Sequence, residues 1–273
     1  MGQEWNYQHV NNPYSRIYFV TEGYGKITHH NQSFDLRPGW LYLIPCFTTV
    51  DMTCPDQFRH YYIHFTSRIQ TGLDIFSILN TSYQKKACDH GIDSSLFARL
   101  LALNPNRELS DYDATKPIFR QVLERTDKQD ELKTPANILE TNAIVRLLLS
   151  VFLSNLDHPQ TANTLHGLSR FRDVFDYIEN HLDTPITLEE LAELVALNPT
   201  YFSNLFARLM GIPPIQYINR RRIEKAQQLL LSSDDPLYEI AMEVGFTDVY
   251  YFSRLFKKIV GLAPSYYQKR KQL

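Results

Sequence analysis

The sequence predicts an α+β protein in which a small antiparallel β-barrel and the helices after it precede an all-α domain. Three observations predict this order: short aromatic and β-branched runs up to about Arg68, helical spacing in the middle of the chain, and a near-repeat of YFSNLF at Tyr201–Phe206 as YFSRLF at Tyr251–Phe256. The 273 residues are 44% hydrophobic and 21% charged, an ordinary globular composition with length for about two domains.

The N-terminal part reads as short strands with frequent turns. RIYFVTEG at Arg16–Gly23, WLYLIP at Trp40–Pro45 and FRHYYIHF at Phe58–Phe65 are strand-forming runs, and the first two end in Gly or Pro. A hairpin turn is expected at His30 and Asn31. Short strands of this kind predict a small antiparallel barrel or sandwich.

The middle of the chain ends in an apolar helix at Pro135–Leu156. Its Pro stands near the predicted helix start, and more than one face is apolar. Such a helix must be buried, either in its own domain or against another subunit. Its most apolar stretch, Ala143–Leu153, is shorter than a bilayer span and carries Arg146, so no membrane association is predicted.

The start of the chain and its cysteines indicate a soluble, cytoplasmic protein. MGQEWNYQHV lacks a charged leader followed by an apolar run, so no secretory signal is predicted. Cys46, Cys54 and Cys88 are odd in number and form no CxxC, which suits a reducing compartment.

A polar segment divides the chain. Residues 157–167, DHPQTANTLHG, are rich in turn formers and short of large apolar side chains. We therefore expect an N-terminal domain at 1–156, a linker at 157–167 and a C-terminal domain at 168–273.

The near-repeat extends beyond its six central residues. Leu188, Glu190, Ala192 and Val195 recur as Leu237, Glu239, Ala241 and Val244, and Gly211, Pro214 and Tyr217 recur as Gly261, Pro264 and Tyr267. Each copy reads as a short helix, a tight turn, a second helix, a Gly stop and a Pro restart. This pattern is typical of a helix-turn-helix, whose second helix can lie in the DNA major groove.

Residues at the start of these helices are suited to capping them. Thr187 and Glu190 form a capping-box pattern before the first helix. Asn198, followed by Pro199, and Asp248 stand at the N-cap positions of the two second helices.

Polar positions interrupt the apolar face of each second helix. Phe202, Leu205 and Phe206 keep one face apolar and are expected in the core. The outer positions are Thr200, Ser203, Asn204 and Arg208 in the first copy and Tyr250, Ser253, Arg254 and Lys257 in the second. Taken singly, each is as compatible with solvent or phosphate contact as with a base contact.

In the C-terminal half, basic and acidic residues concentrate in different places along the chain, although neither is in excess. From Gly167 onward, basic and acidic residues are equal in number, and no acid follows Asp248. Basic residues concentrate at Arg220–Arg222, Lys257–Lys258 and Lys269–Lys271. We expect this segregation to form a phosphate-binding side.

At these residues the C-terminal part resembles the AraC/XylS family of transcriptional regulators. The resemblance covers about Ser169–Lys271 and is strongest in IAMEVGFTDVYYFSRLFKKIVGLAPSYY. It implies two helix-turn-helix units joined by a long helix at about Pro214–Ser232, with recognition helices in major grooves about 34 Å apart. The base-facing positions it implies are Thr200, Ser203, Asn204, Tyr250, Tyr251 and Arg254. Among these, Arg254 is best suited to a guanine edge.

The N-terminal part resembles the cupin-like sensor barrel of the same family. YFVTEGYGKI, FDLRPGWLYLIP and RHYYIHF carry this resemblance, over about Ile17–Phe65. It implies that Glu22, His60 and Tyr62 point into the barrel and touch a small-molecule effector, although aromatic barrel filling would explain the same residues. The histidine spacing does not match a cupin metal site, because adjacent His29 and His30 would face opposite sides of a strand. No metal or other cofactor is expected.

The leading hypothesis is a regulator that binds double-stranded DNA, responds to an effector such as a sugar, and forms a homodimer through Pro135–Leu156. RNA polymerase is a further candidate partner. Two alternatives stay open: a regulator whose barrel only dimerises or binds a protein, and an enzyme carrying a DNA-binding tail. No catalytic residues are assigned, since the cysteines lack a reactive-site motif.

Overall fold

The computed structural model describes residues 5–29, 32–67, 74–79, 82–105, 134–154 and 166–269. The chain divides into two compact units. The first contains Met1–Thr66 and Thr81–Asn155 together with Arg270–Leu273, and the second contains Ser67–Asn80 and Leu156–Lys269. Most of the predicted linker, and the predicted turn at His30 and Asn31, lie outside the described residues.

The first unit is built on two four-stranded antiparallel sheets. The strands are β1 (Tyr7–Val10), β2 (Ser15–Gly23), β3 (Gly25–His29), β4 (Gln32–Leu36), β5 (Trp40–Ile44), β6 (Val50–Thr53), β7 (Phe58–Phe65) and β8 (Gln84–Lys86). Their orders are β1-β6-β3-β4 and β7-β2-β5-β8. All three strand-forming runs singled out in the sequence are strands, and β2 pairs directly with both of the others, β5 and β7.

One buried cluster draws on strands from both sheets. It contains Trp5, Tyr18, Val20, Ile27, Leu36, Tyr42, Ile44 and Met52 among others. Alternate residues of a strand point to opposite faces, so the same strands also supply a second buried face. On that face Phe19 of β2 stacks on Phe97, with ring centroids 5.0 Å apart.

Gly23 ends β2 at a point where no side chain fits. Its φ is +77°, and a Cβ there would lie 2.1 Å from the carbonyl oxygen of Gln57. Glycine is therefore required for the chain to turn beside the start of β7.

Helices make up most of the remaining described structure. They are α1 (Ile75–Ile78), α2 (Ser94–Leu103), α3 (Pro135–Leu153), α4 (Arg172–Asn180), α5 (Leu188–Glu193), α6 (Pro199–Met210), α7 (Pro214–Ser232), α8 (Leu237–Glu243), α9 (Val249–Val260) and α10 (Pro264–Lys269). Antiparallel sheets followed by these helices confirm the predicted α+β class.

Helix α3 packs on the first unit along one side. Ile144, Leu148 and Phe152 are buried. Glu140 accepts two hydrogen bonds from Arg99 of α2, at 2.6 and 2.7 Å. The opposite side is apolar and exposed, with Leu139 at 72% of its full accessibility.

The length and composition of α3 can be compared with those of a membrane span. The stretch Ala143–Leu153 is shorter than a bilayer, but the whole helix has 19 residues, and an 18-residue window of it has a mean hydropathy of 1.5, so α3 could span a membrane by length and composition only. Only 22% of this window is buried.

Candidate nucleic-acid interface and barrel interior

The first helix-turn-helix consists of α5 and α6. Thr187 and Glu190 form the predicted capping box, in which the Thr187 amide donates to the Glu190 carboxylate at 2.8 Å. The Asn198 side chain accepts from the Thr200 amide at 2.9 Å and caps α6. Phe202 and Phe206 of α6 are fully buried, in a cluster with Phe171 and Phe175. The apolar face therefore fixes which side of α6 is left exposed.

The second helix-turn-helix consists of α8 and α9. The Asp248 carboxylate accepts from the amides of Tyr250 and Tyr251, at 2.7 and 3.2 Å, and caps α9. Phe252 and Phe256 are fully buried. The helix ends at Gly261, whose φ is +87°, as the predicted Gly stop requires.

A buried ion cluster holds the long helix α7 against α4. Arg221 donates to both carboxylate oxygens of Glu179 on α4, at 2.7 and 2.9 Å, and also pairs with Glu224 one turn along α7. Arg221 is only 6% exposed. A buried charge of this kind is tolerated because each oxygen of its partner is hydrogen-bonded.

A second contact joins the two helix-turn-helix units to each other. Arg222 of α7 donates to the carbonyl oxygens of Leu182 and Thr184, at 2.8 and 2.6 Å, and its guanidinium lies 5.7 Å from the ring centroid of Phe246. Leu182 follows α4 and packs in the buried cluster of the first helix-turn-helix, and Phe246 lies in the turn of the second helix-turn-helix. The arrangement of the two helix-turn-helix units is therefore set by side-chain contacts as well as by the length of α7.

These contacts correct the prediction that Arg220–Arg222 form part of the phosphate-binding side. Arg221 and Arg222 bind groups within the domain, and Arg220 pairs with Glu224 at 3.2 Å. The sequence shows three consecutive cations, but helical geometry turns them in different directions and the packing supplies internal partners. The basic residues Lys257, Lys258 and Lys269 are exposed, whereas Arg270 and Lys271 lie outside the described residues.

The residues predicted to face DNA lie on accessible sides of α6 and α9. Thr200, Asn204, Arg208, Tyr250, Tyr251, Arg254 and Lys257 are exposed, and Ser203 and Ser253 are half-buried. Tyr250 is the most accessible large side chain in this region, at 79%. The hydroxyl of Tyr251 accepts a hydrogen bond from Asn219 of α7 at 3.4 Å, a contact that the repeat pattern did not indicate.

In the barrel, the structure places two of the three predicted effector residues inside. His60 and Tyr62 lie on the face of β7 that points toward Tyr18, and the His60 ring lies 4.8 Å from the Tyr18 ring. Stacking on Phe58, at 4.6 Å and nearly parallel, holds His60 in place. Burial lowers the pKa of His60 to about 4, so its imidazole is neutral at pH 7.

Glu22 does not point into the barrel as expected. Its side chain is 65% exposed and pairs with Arg59 at 3.4 Å. The ladder between β2 and β7 shifts between Val20 and Glu22, and such an irregularity changes the face that the next side chain takes.

The barrel interior also contains Arg16, which the sequence did not single out. Its place in strand β2, two residues before Tyr18, was the available signal, because residues two apart share a face. Among the residues that the structure describes, no cluster of three or more His, Cys, Asp or Glu side chains is arranged to hold a metal ion.

Comparison with known proteins assigns the helical repeat to a family. A family profile described as a helix-turn-helix domain matches residues 191–270. The chain is 38% identical to the regulatory protein PocR of Salmonella typhimurium over 79 residues, which are 29% of this chain and 26% of PocR. The C-terminal domain belongs to the AraC family.

Similarity outside the AraC-type domain is weaker. The transcriptional activator RhaS of Escherichia coli is 22% identical over 235 residues, which are 86% of this chain and 78% of RhaS.

The C-terminal domain of the response regulator yesN from Fusobacterium nucleatum matches with 38% identity and a TM-score of 0.34, over 35% of this chain and 93% of that one. PocR and two further relatives are 38% or 39% identical to this chain, and the aligned part covers only between 14% and 29% of each relative's length.

Proposed function

We propose that the chain is a sequence-specific DNA-binding transcriptional regulator that responds to a small molecule in its N-terminal barrel. The observation that carries this proposal is the pair of capped helices α6 and α9, each with its apolar face buried and its polar face accessible. One long helix and the Arg222 contacts hold the two units together. Two recognition helices fixed in this way suit two adjacent major grooves of one duplex.

The accessible side chains divide into two roles. Arg254 lies in the middle of α9, where a guanidinium can donate two hydrogen bonds to a guanine edge. Arg208, Lys257 and Lys258 lie in the last turns of α6 and α9 and are suited to phosphates. The accessible hydroxyls and amide at Thr200, Ser203 and Asn204 supply further contacts from α6.

The exposed side of α3 is proposed as the dimer interface. Ile138, Leu139 and Leu147 are exposed on this helix although each is a large aliphatic residue. A second copy of α3 would bury this face, and a symmetric dimer needs one self-complementary patch. A dimer would present four recognition helices to the operator.

The barrel is the proposed sensor, since His60 and Tyr62 lie in its interior, where a small ligand would be enclosed. The alignment with RhaS, which spans 86% of the chain, supports a regulator in which the barrel and the AraC-type domain act together. A ligand that binds one dimer geometry better than another shifts the population toward it. We place the protein in the cytoplasm, where both the operator and RNA polymerase are accessible.

Selection of bound duplexes from a random DNA pool by the full-length chain tests the proposal. We expect enrichment of a motif with two half-sites about ten base pairs apart and binding that weakens steeply as salt rises. Arg254→Ala is expected to weaken binding to the selected site by about 10- to 100-fold and to relax the preference at one base pair. Lys257→Ala should weaken binding to all DNA sequences alike.

Arg172→Ala is the matched control for these substitutions. Arg172 is an exposed arginine of the same domain, paired with Asp176 on α4 and outside both recognition helices. Its removal should leave the affinity for the selected site unchanged. No enrichment at low salt by a folded chain would contradict the proposed function.

A further inference from the structure

Arg222 of α7 binds both helix-turn-helix units at once. Its Nε atom donates to the carbonyl oxygen of Leu182 at 2.8 Å, and its Nη2 atom donates to that of Thr184 at 2.6 Å. Both carbonyls lie between α4 and α5, before the first helix-turn-helix, whereas the ring of Phe246, 5.7 Å from the guanidinium, lies in the turn of the second. Because Nε and Nη2 form one edge of the guanidinium, that edge is not open to a phosphate or a base.

The Leu182 carbonyl is also the point where the backbones of the two helix-turn-helix units meet. A Cβ on Gly245, in the turn between α8 and α9, would lie 2.2 Å from this oxygen and 3.0 Å from Arg222. The backbone of Gly245 therefore packs directly on the oxygen that Arg222 binds. A movement of α9 relative to α6 would disturb this packing and the Arg222 hydrogen bonds together.

The same side of α7 holds the beginning of α9. Asn219 lies three residues before Arg222, and residues three apart on a helix are neighbours. Its side-chain amide donates to the Tyr251 hydroxyl at 3.4 Å, and the Tyr251 ring lies 6.0 Å from the ring of Phe246. The turn and the first turn of α9 thus contact the part of α7 that is bonded to the first helix-turn-helix.

We propose that Arg222 determines the spacing between the two DNA half-sites that one chain recognises. The inference rests on the proposed DNA-binding function and names the residue that makes the two recognition helices accept one separation. Arg222 is a positioning residue in this role, because it acts on the placement of α9 and not on a base.

The geometry of the duplex makes such a restriction effective. One base pair inserted between the half-sites moves the second by about 3.4 Å and turns it by about 35° around the duplex axis. A chain held by the Arg222 contacts follows this displacement only by breaking them, and otherwise loses one half-site.

The expected size of the effect follows from the bonds that would break. Arg222 makes two hydrogen bonds from a charged donor, which are stronger than bonds between neutral groups. We therefore expect one inserted or deleted base pair to weaken binding of the unsubstituted chain by at least about tenfold. Without these bonds α9 can shift with its half-site, and the loss should be at most about threefold.

Titration of the full-length chain with a set of duplexes tests the inference. Each duplex carries the half-sites selected from the random pool, either at the selected separation or with one base pair inserted or deleted between them. Arg222→Met removes both donors and keeps an unbranched side chain beside Phe246. It should reduce the loss of affinity at the altered separations and leave the base preferences within each half-site unchanged.

Arg222→Lys provides a second variant that keeps the positive charge. A lysine cannot present two donors in a fixed fork, so this variant should tolerate altered separations as the methionine variant does. It carries the test alone if thermal unfolding shows that Arg222→Met does not fold.

Arg220→Met is the matched control on the same helix. Arg220 pairs with Glu224 at 3.2 Å, and both residues belong to α7, so this ion pair does not join the two helix-turn-helix units. The control should keep the spacing preference of the unsubstituted chain, even if its affinity for every duplex falls.

Two results would overturn the inference while leaving the proposed function intact. The first is an unchanged spacing preference in the folded Arg222 variants, which would assign the spacing to the length of α7 alone. The second is an equal loss of affinity at every separation, which is the behaviour of a phosphate contact. Failure of the unsubstituted chain to select any duplex would instead contradict the proposed function itself.

Discussion

At the scale of single residues, Gly245 shows how closely the two helix-turn-helix units approach. A Cβ at this position would lie 2.2 Å from the Leu182 carbonyl oxygen and 3.0 Å from Arg222. Its φ of +84° is also unfavourable for other residues. The turn between α8 and α9 therefore depends on glycine for two separate reasons.

Gly245→Ala is expected to destabilise the AraC-type domain more than Gly211→Ala does. Both glycines have positive φ, but nothing lies within 4 Å of a Cβ at Gly211. The left-handed conformation alone costs about 1–2 kcal/mol, so any further loss at Gly245 measures the collision with Leu182 and Arg222. Chemical denaturation of both variants checks this, and equal losses would contradict the close approach.

His60 links the barrel interior to pH. Its folded-state pKa is lowered to about 4, while an unfolded histidine titrates near 6.5. The unfolded chain therefore binds more protons than the folded chain between these values. The contribution of His60 to stability is complete above pH 6.5 and is lost as the pH falls toward 4.

His60→Phe is expected to flatten the dependence of stability on pH. Each histidine kept neutral costs about 1.4 kcal/mol per pH unit below pH 6.5, so the variant should lose less stability between pH 6.5 and 4.5. Thermal unfolding across this range measures the slope. Tyr61→Phe is the control: it changes the next residue of the same strand and leaves every histidine in place, so it should retain the original slope. An unchanged slope in His60→Phe would show that the imidazole is not kept neutral.

At the scale of elements, the caps of α6 and α9 set where the two proposed recognition helices begin. Both caps were predicted from the repeat, and the structure has Asn198 and Asp248 accepting from amides of the first turn. The predicted linking helix is also present, at Pro214–Ser232. Local sequence determines these features because a cap needs partners only two or three residues away.

Asp248→Ala is expected to lower the stability of the domain by about 1 kcal/mol, because two amides at the start of α9 lose their acceptor. Asp248→Asn keeps a side-chain oxygen and should retain most of that stability. Because Tyr250 and Tyr251 lie in the first turn, DNA affinity should fall for the alanine variant and recover for asparagine. Unfolding and DNA titration measure the two effects, and equal behaviour of both variants would contradict the role of the cap.

At the scale of the whole molecule, the exposed side of α3 is the surface that the proposed dimer would bury. Ile138, Leu139 and Leu147 share this helix with Glu140, whose pairing to Arg99 fixes the helix on the first unit. Since one side is held by packing, the other side is available to a second copy.

Leu139→Glu is expected to raise the dissociation constant of the proposed dimer at least tenfold, because each dimer would bury two unpaired carboxylates. Sedimentation measures the change. Leu194→Glu, at an exposed leucine in the AraC-type domain, is the control and should remain dimeric. A dimer that persists in Leu139→Glu would place the interface elsewhere.

The sequence by itself determined the strand runs of the barrel, the two copies of the helical unit, their caps and the outward positions of α6 and α9. Each of these depends on residues close together in the chain or on a regular period. Only the tertiary structure determined where these charged side chains lie and what they contact. Arg221 and Arg222 form hydrogen bonds within the domain, Glu22 lies outside the barrel, and Arg16 lies inside it. Periodicity tells which face of an element a side chain takes, whereas the partner of a charge is supplied by a segment tens of residues away. Only the packing of those segments brings the two together.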